Sequence, residues 1–281
     1  MTATILNRYE NLTETEKRIA DRILAAPEEA VTLTAKALAA QCGTVPSAVI
    51  RFCKSVGAQG FSDFKIRLSA DLGAKSGPGN LLPIQEGDGP REVFKKVFAS
   101  GVRTLEDTLA LIDYSQAEQI VRTLSRATRI VFFGVGTSSV IAVDAQYRFA
   151  QLGLATAACT DILFMNVTAA NLGPGEVAVG ISHSGSTQPT VDALRRAKKA
   201  GAATVAITSF SQSCLARECD RRIIAFSDDK NYPVEAVSAR IAHMCILDAL
   251  MMSLAAQNYA ALQQHLSERN EILKQMRYKN K

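Results

Sequence analysis

Residues 130–139 read IVFFGVGTSS and residues 179–191 read VGISHSGSTQPTV. Each opens as the short apolar run of a buried strand and ends abruptly in a small, hydroxyl-rich turn before a helical pattern resumes. Glycine lets the chain reverse there. Ser and Thr hydroxyls then stand beside the exposed N–H groups that open a helix, a combination suited to an anion such as phosphate. The first turn begins GxG as a dinucleotide-binding fingerprint does, but Ser139 stands where that fingerprint needs a third glycine. The second turn, with Ser182, His183, Ser184, Gly185, Ser186 and Thr187 in succession, is the more specific of the two. Hydroxyls of this kind also serve as plain helix caps. Two such turns in one chain point to a single anion pocket.

Around these turns helix and strand alternate, with helices near 115–126 and 138–151 and strands near 129–134, 155–159, 177–181, 203–207 and 222–225. Alternation predicts a Rossmann-like α/β domain, a parallel sheet flanked by helices, whose ligands lie beyond the carboxyl ends of the strands. Gly134, Gly136 and Ser138 in the first loop and Ser182, Ser184, Gly185 and Thr187 in the second resemble the phosphate loops of the sugar isomerase, or SIS, domain, and the likeness covers about residues 117–255. It implies a phosphosugar site; Ser139, His183 and Ser186 stand in the same two turns as further candidate contacts, and no metal or cofactor is expected. The segment VEAVSARIAHMCILDAL at 234–250 resembles that domain's closing helix, in which a Glu and a following Ser-x-Arg face the pocket. Those residues are Glu235, Ser238 and Arg240. His243 reads as a packed residue of an apolar helix, and His183 as part of the pocket lining.

The amino-terminal part is patterned differently. Leu12, Ile19, Ile23 and Leu24 follow helical spacing, Thr13 and Glu16 form a capping-box pair, and Pro27 marks the end of that helix. A second helix is expected over 34–41, stopped by Gly43. The segment PSAVIRFCKSVG, residues 46–57, then places Val49, Ile50, Phe52, Cys53 and Val56 at helical spacing and leaves Ser47, Arg51, Lys54 and Ser55 for other faces. Helix, tight turn, helix is the arrangement that inserts its second helix into the DNA major groove. Short polar side chains near its start reach base edges and Arg or Lys holds phosphates, so Ser47 and Arg51 are the leading contacts, with Lys54 a further one. In GFSDFKIRL, Lys65 and Arg67 are placed to grip the DNA backbone while Phe61, Phe64 and Leu68 close a small all-α core.

Three stretches, ETEKRIADRIL, ALAAQCG and VIRFCKSVGAQGFSDFK, resemble the amino-terminal domain of the RpiR family of bacterial transcription regulators, which carry an SIS domain behind it. The pattern departs at the turn. The family usually has Val-Ser before the recognition helix and Thr three residues after that Ser, where this chain has Thr44, Val45, Pro46 and Ala48. A missing Ser cap costs about 1 kcal/mol, with Pro46 tolerated in the first turn and Thr44 or Ser47 as the available replacements. The resulting division is 1–77 helix-turn-helix, 78–116 linker and connecting helix, and 117–281 SIS domain with a carboxy-terminal helix. Within the linker, GAKSGPGNLLPIQEGDGP at 73–90 concentrates Gly and Pro, and the helix from Arg91 to Leu111 carries Val93, Phe94, Val97, Val102, Leu105 and Leu109 as a stripe that reads as ordinary core, with a crossing to a partner subunit as the alternative.

At 281 residues, 47% hydrophobic and 21% charged, the chain has room for two cored domains. A net charge of +5 permits an acidic partner without requiring one. Six cysteines scattered singly, at 42, 53, 159, 214, 219 and 245, form no CxxC pair and read as buried free thiols. No apolar run reaches the ~18 residues of a membrane span, and MTATILNRYENLTETEKR lacks the order of a signal peptide, so the expectation is a cytoplasmic protein. The combined reading is a regulator that binds double-stranded operator DNA as a homodimer or homotetramer under control of a phosphosugar effector. The alternative is a phosphosugar isomerase or lyase with Glu235 as base. An isomerase gains nothing from a helix pair patterned for DNA.

Overall fold

A computed structural model describes residues 1–74, 84–227, 237–257 and 259–276. Compact packing divides the chain between Arg103 and Thr104 into two units.

In the first unit the helices are α1 (Thr2–Arg8), α2 (Glu14–Ala25), α3 (Pro27–Thr32), α4 (Ala35–Gln41), α5 (Pro46–Ser55) and α6 (Phe61–Ala74). The Thr13 hydroxyl accepts from the Glu16 N–H while the Glu16 carboxylate accepts from the Thr13 N–H, so the expected capping box is present. Pro27 does more than end α2. It occupies the first turn of a further helix, where its missing N–H would have had no partner in any case. Ile19, Ile23, Leu38, Val49, Phe52, Phe64 and Leu68 fill one core, and Phe52 meets Phe64 edge-on at 5.9 Å between ring centroids.

The turn between α4 and α5 is a Schellman closure. Thr44 N–H reaches the Ala39 carbonyl at 2.9 Å, Gly43 N–H reaches Ala40 at 3.2 Å, and Gly43 takes φ +59°. That left-handed backbone is why a glycine sits here. The first turn of α5 has no side-chain cap: Val45 is the N-cap residue, and neither Thr44 nor Ser47 replaces the missing serine. The Ala48 N–H bonds instead to the Val45 carbonyl at 2.9 Å, and Pro46 removes one donor that would otherwise need a partner.

Helix α7 (Pro90–Leu111) follows. Its apolar stripe is not ordinary core: Phe94 is 67% and Leu109 62% exposed, while the buried positions are Ser100, Gly101, Thr104 and Thr108. On that buried side the Thr108 hydroxyl accepts the Phe226 N–H at 3.0 Å.

In the second unit, β1 (Arg129–Phe133), β2 (Thr156–Cys159), β3 (Glu176–Ile181), β4 (Ala203–Thr208) and β5 (Arg221–Ile224) form one parallel sheet in the order β2-β1-β3-β4-β5. Around it lie α8 (Tyr114–Ser125), α9 (Thr137–Ala150), α10 (Ile162–Ala170), α11 (Gln188–Lys199), α12 (Cys214–Glu218) and α13 (Val237–Gln257), followed by α14 (Tyr259–Gln275). The strands are apolar on both faces because both faces are covered. Ile130, Phe132, Val179 and Ile207 pack with α8, α9 and α13, whereas Val131, Phe133, Ala178 and Ala206 pack with α10, α11 and α12. Helix α13 has the length and hydropathy of a membrane span, yet Ala242, His243, Ile246, Leu247 and Leu250 are buried, as in a core helix.

A Cβ on Gly43 would meet nothing closer than an Arg18 nitrogen at 3.8 Å, so an alanine there is opposed by backbone conformation alone. Gly43→Ala should cost about 1–2 kcal/mol. The expected readout is amide hydrogen exchange over residues 35–55 faster by about 5- to 30-fold, with Gly43→Asn recovering part of the loss.

Candidate functional site: two hydroxyl turns and a helix pair

β1 and β3 are neighbours paired in parallel, with Phe133 opposite Gly180, and the chain leaves β1 toward β2 on one side and reaches β3 on the other. This is the switch point of a doubly wound sheet, where a crevice opens beyond the carboxyl ends. Both hydroxyl turns start there. In the first, Gly136 is the N-cap residue of α9 with φ +60°, Ser138 is buried in the first helical turn, and the Ser139 hydroxyl donates to the Gly136 carbonyl at 2.6 Å.

The second turn is held from within. The Ser182 and Thr187 hydroxyl oxygens are 3.0 Å apart, the Gly185 N–H reaches the Ser182 hydroxyl at 3.1 Å, and the Ser186 N–H reaches the Ser184 hydroxyl at 3.2 Å. Thr187 is the N-cap residue of α11, yet its hydroxyl faces Ser182 and caps nothing. Plain capping therefore does not account for these hydroxyls. Gly185, at φ +62°, lies where a Cβ would come within 2.1 Å of the Ser213 hydroxyl oxygen and 2.6 Å of that of Thr208. Only glycine lets this turn and the β4–α12 connection come so close. Two helix N-termini, of α9 and α11, open beside these turns, and their dipoles favour negative charge.

The β4–α12 connection, SFSQS at 209–213, was not singled out from the sequence, although it repeats the signature of an apolar strand followed by hydroxyls. Its Ser209 takes part through both backbone and side chain. The Ser209 N–H bonds to the His183 carbonyl at 3.0 Å, and the Ser209 hydroxyl oxygen lies 2.9 Å from His183 Nδ1. His183 is half-buried in the second turn. Arg240 is exposed in the first turn of α13, and Glu235 lies outside the described residues.

Ser47, Arg51 and Lys54 are all exposed on α5, and four- and three-residue steps bring them to one side of the helix. Val45 and Ile50 are exposed beside them, Ile50 contrary to its expected place in the core. Such apolar groups suit thymine methyls in a major groove. Lys65 and Arg67 are engaged within the protein: Lys65 Nζ donates to the Leu33 carbonyl at 3.1 Å, and Arg67 pairs with Asp63 at 2.9 Å. All six cysteines are free. Burial pushes the thiols of Cys53 and Cys219 up to about 12, while Cys214 and Cys245 are exposed rather than buried as expected.

Residues 1–75 match the helix-turn-helix domain of the rpiR family, and residues 123–253 match the SIS domain. An uncharacterized HTH-type transcriptional regulator of Caldanaerobacter subterraneus subsp. tengcongensis is 31% identical, the alignment covering 99% of this chain and 98% of that one. The chain belongs to the RpiR family of transcriptional regulators. The family's HTH-type transcriptional regulator HexR of Escherichia coli K12 is 30% identical over 99% of this chain and 96% of its own length. In fold, this RpiR-family chain is similar to the Vibrio vulnificus NanR protein complexed with ManNAc-6P, with a TM-score of 0.63 at 24% identity over 99% of this chain and 100% of that one. As a member of this family the chain is a DNA-binding regulator rather than an enzyme.

One carboxylate ties the regulator's recognition helix to its support. Besides closing the capping box of α2, Glu16 accepts from the Ser55 hydroxyl of α5 at 2.6 Å. Burial raises the affinity of this carboxyl for its proton, but hydrogen bonds from Ser55 and Thr13 and the charge of Arg51 outweigh it and hold Glu16 below its ordinary 4.5. A depressed carboxyl stabilises the fold fully above its unfolded value and loses that contribution as pH falls through the folded one. Glu16→Gln keeps the shape and removes the charge. At pH 7 it should cost no more than about 1 kcal/mol, given solvent screening. The difference from the parent in thermal or urea unfolding should vanish as the pH is taken below 4.5.

Proposed function

We propose that this regulator binds a phosphorylated sugar in the crevice beyond β1 and β3. The occupied pocket then controls the binding of a homodimer or homotetramer to a palindromic operator of sugar or carbon catabolic genes in the cytoplasm. The observation that carries this reading is the juxtaposition of two hydroxyl turns at adjoining strand ends, with a Thr187 hydroxyl that caps no helix. Ser138, Ser182, Ser184 and Thr187 would donate to the phosphate oxygens together with N–H groups of α9 and α11, an arrangement suited to a dianion without Lys or Arg. Ser139 and Ser186 shape the two turns. Glu235 would accept sugar hydroxyls, with Arg240 nearby in sequence. ManNAc-6P in the similar Vibrio vulnificus protein supports the class of ligand.

On the DNA side, the engagement of Lys65 and Arg67 within the protein leaves Ser47, Arg51 and Lys54 as the leading contacts. One such helix reads too few base pairs to single out a genomic site, so a symmetric assembly on two half-sites follows. The exposed apolar side chains of α7 and of α10, among them Phe98 and Leu163, give that assembly surface to bury.

Thermal-shift screening against a panel of sugar phosphates should identify the effector, since any true ligand raises the melting temperature by mass action. Ser184→Ala should then lose about 10- to 150-fold in affinity for it, the equivalent of roughly 1.5–3 kcal/mol for a hydrogen bond to a charged group. Undiminished binding by calorimetry in both Ser182→Ala and Ser184→Ala proteins would remove the pocket assignment. For the operator, Arg51→Ala should cost about 1–3 kcal/mol at matched salt if Arg51 reads a base edge. A variant that binds as tightly as the parent would clear Arg51 of that role.

A further inference from the structure

His243 lies on α13, sixty residues from the second hydroxyl turn, and is 1% exposed. Its position in an apolar helix reads as packing. In the folded chain, however, His243 Nε2 lies 3.5 Å from the Ser209 hydroxyl oxygen, which in turn lies 2.9 Å from His183 Nδ1. Ser209 is itself 3% exposed. The three side chains thus form a line that begins in the interior and ends in the turn carrying Ser182 and Ser184.

The line has a direction. A serine hydroxyl has one hydrogen to donate, so Ser209 cannot donate to both imidazoles, and where it donates to one it accepts from the other. If His243 Nε2 carries its hydrogen, Ser209 accepts from it and donates to His183 Nδ1, and the His183 proton must then sit on Nε2. The reverse tautomer of His243 would put that proton on Nδ1 and turn Nε2 into an acceptor. The His183 backbone is also held, because its carbonyl accepts from both the Ser209 N–H at 3.0 Å and the Thr208 hydroxyl at 3.1 Å. The Phe210 ring stands 5.6 Å from the imidazole and narrows its choice of rotamer. The His183 backbone and ring are therefore both held from the β4 end, and the Ser209 hydroxyl couples the tautomer of His183 to that of His243.

We infer that His243, acting through Ser209, is a positioning residue that holds His183 in its Nε2–H tautomer, so that a neutral histidine donates to an oxygen of the bound ligand. This rests on the pocket assignment made above and deepens it. A neutral donor adds a directed hydrogen bond for an acceptor-rich ligand without placing a formal charge, which matches a site built from hydroxyls and N–H groups.

The protein has three histidines, so 15N-detected NMR of the labelled full-length chain resolves them by single substitutions. In the parent, His183 should show a protonated Nε2 and a bare Nδ1. Ser209→Ala and His243→Leu should each shift His183 toward a mixture of tautomers and weaken binding of the sugar phosphate found in the screen by roughly 2- to 13-fold, the loss of about one ordinary hydrogen bond. His243→Gln can present an N–H donor at nearly the position of Nε2 and should retain both the tautomer and most of the affinity. Because His243 is buried, melting temperatures accompany each variant, and Ser209→Ala, which leaves α13 untouched, carries the test if His243→Leu does not fold. A His183 tautomer that is unchanged in Ser209→Ala overturns the inference, as does a Nδ1-protonated His183 in the parent. If Ser184→Ala abolishes binding while Ser209→Ala and His243→Leu bind normally, the pocket stands and the relay fails; if Ser184→Ala also binds normally, the pocket assignment itself has failed.

Discussion

The parallel pairing of β1 with β3 is the constraint on which the SIS half of this molecule depends. Their register sets Phe133 beside Gly180, and the two chains leave the sheet side by side. Because β2 lies on the far side of β1 and β4 on the far side of β3, the connections diverge and leave a crevice between them. Each connection must then enter a helix within a few residues. That need selects small residues, which let each helix begin without filling the space above the strands, and neither Gly136 nor Thr187 caps the opening N–H groups with a side chain. The turns are thus a consequence of the topology, and the same topology places them side by side. The hydrophobic cores on the two faces of the sheet keep the strand ends in place, with Ile130, Phe132 and Ile207 on one side and Val131, Phe133 and Ala206 on the other.

A different economy governs the helix pair. A unit this small has little apolar surface to bury, so its stability rests on a few well-placed polar closures in addition to the core around Phe52 and Phe64. Glu16 serves twice, closing the amino end of α2 and receiving the Ser55 hydroxyl at the far end of α5. The recognition helix is therefore fixed at its carboxyl end by a side chain and at its start by the Schellman turn before it, and this compensates for an N-terminus without a cap. Lys65 and Arg67 belong to the same economy. Their positive charges looked free in the sequence, but Leu33 and Asp63 are within reach once α6 is folded.

Much of the architecture was legible in one dimension because its causes are local. Strand edges emerged to within a residue or so from apolar runs bounded by glycine, and the capping box, the stop at Gly43 and the alternation of helix and strand all depend on neighbours in the chain. The two hydroxyl turns were legible for the same reason. Less legible was the third, SFSQS, whose significance depends on where β4 ends relative to Gly185. For helix α7 the ordinary-core reading failed: an apolar stripe at helical spacing is normally the buried side, and only packing reveals that Ser100, Thr104 and Thr108 are buried while Phe94 and Leu109 are exposed.

By itself the sequence determined that this chain has an all-α helix pair followed by a parallel α/β unit, and which short segments carry small hydroxyl residues where helices begin. These properties follow from periodicity and turn chemistry, which act over a handful of residues. The tertiary structure decided the strand order that makes the two turns neighbours, the approach of Ser213 and Thr208 to Gly185, and the line from His243 through Ser209 to His183. Those contacts join residues tens of positions apart. No local preference encodes them, because they arise only when helices close over a twisted sheet and bring its strand ends to one edge.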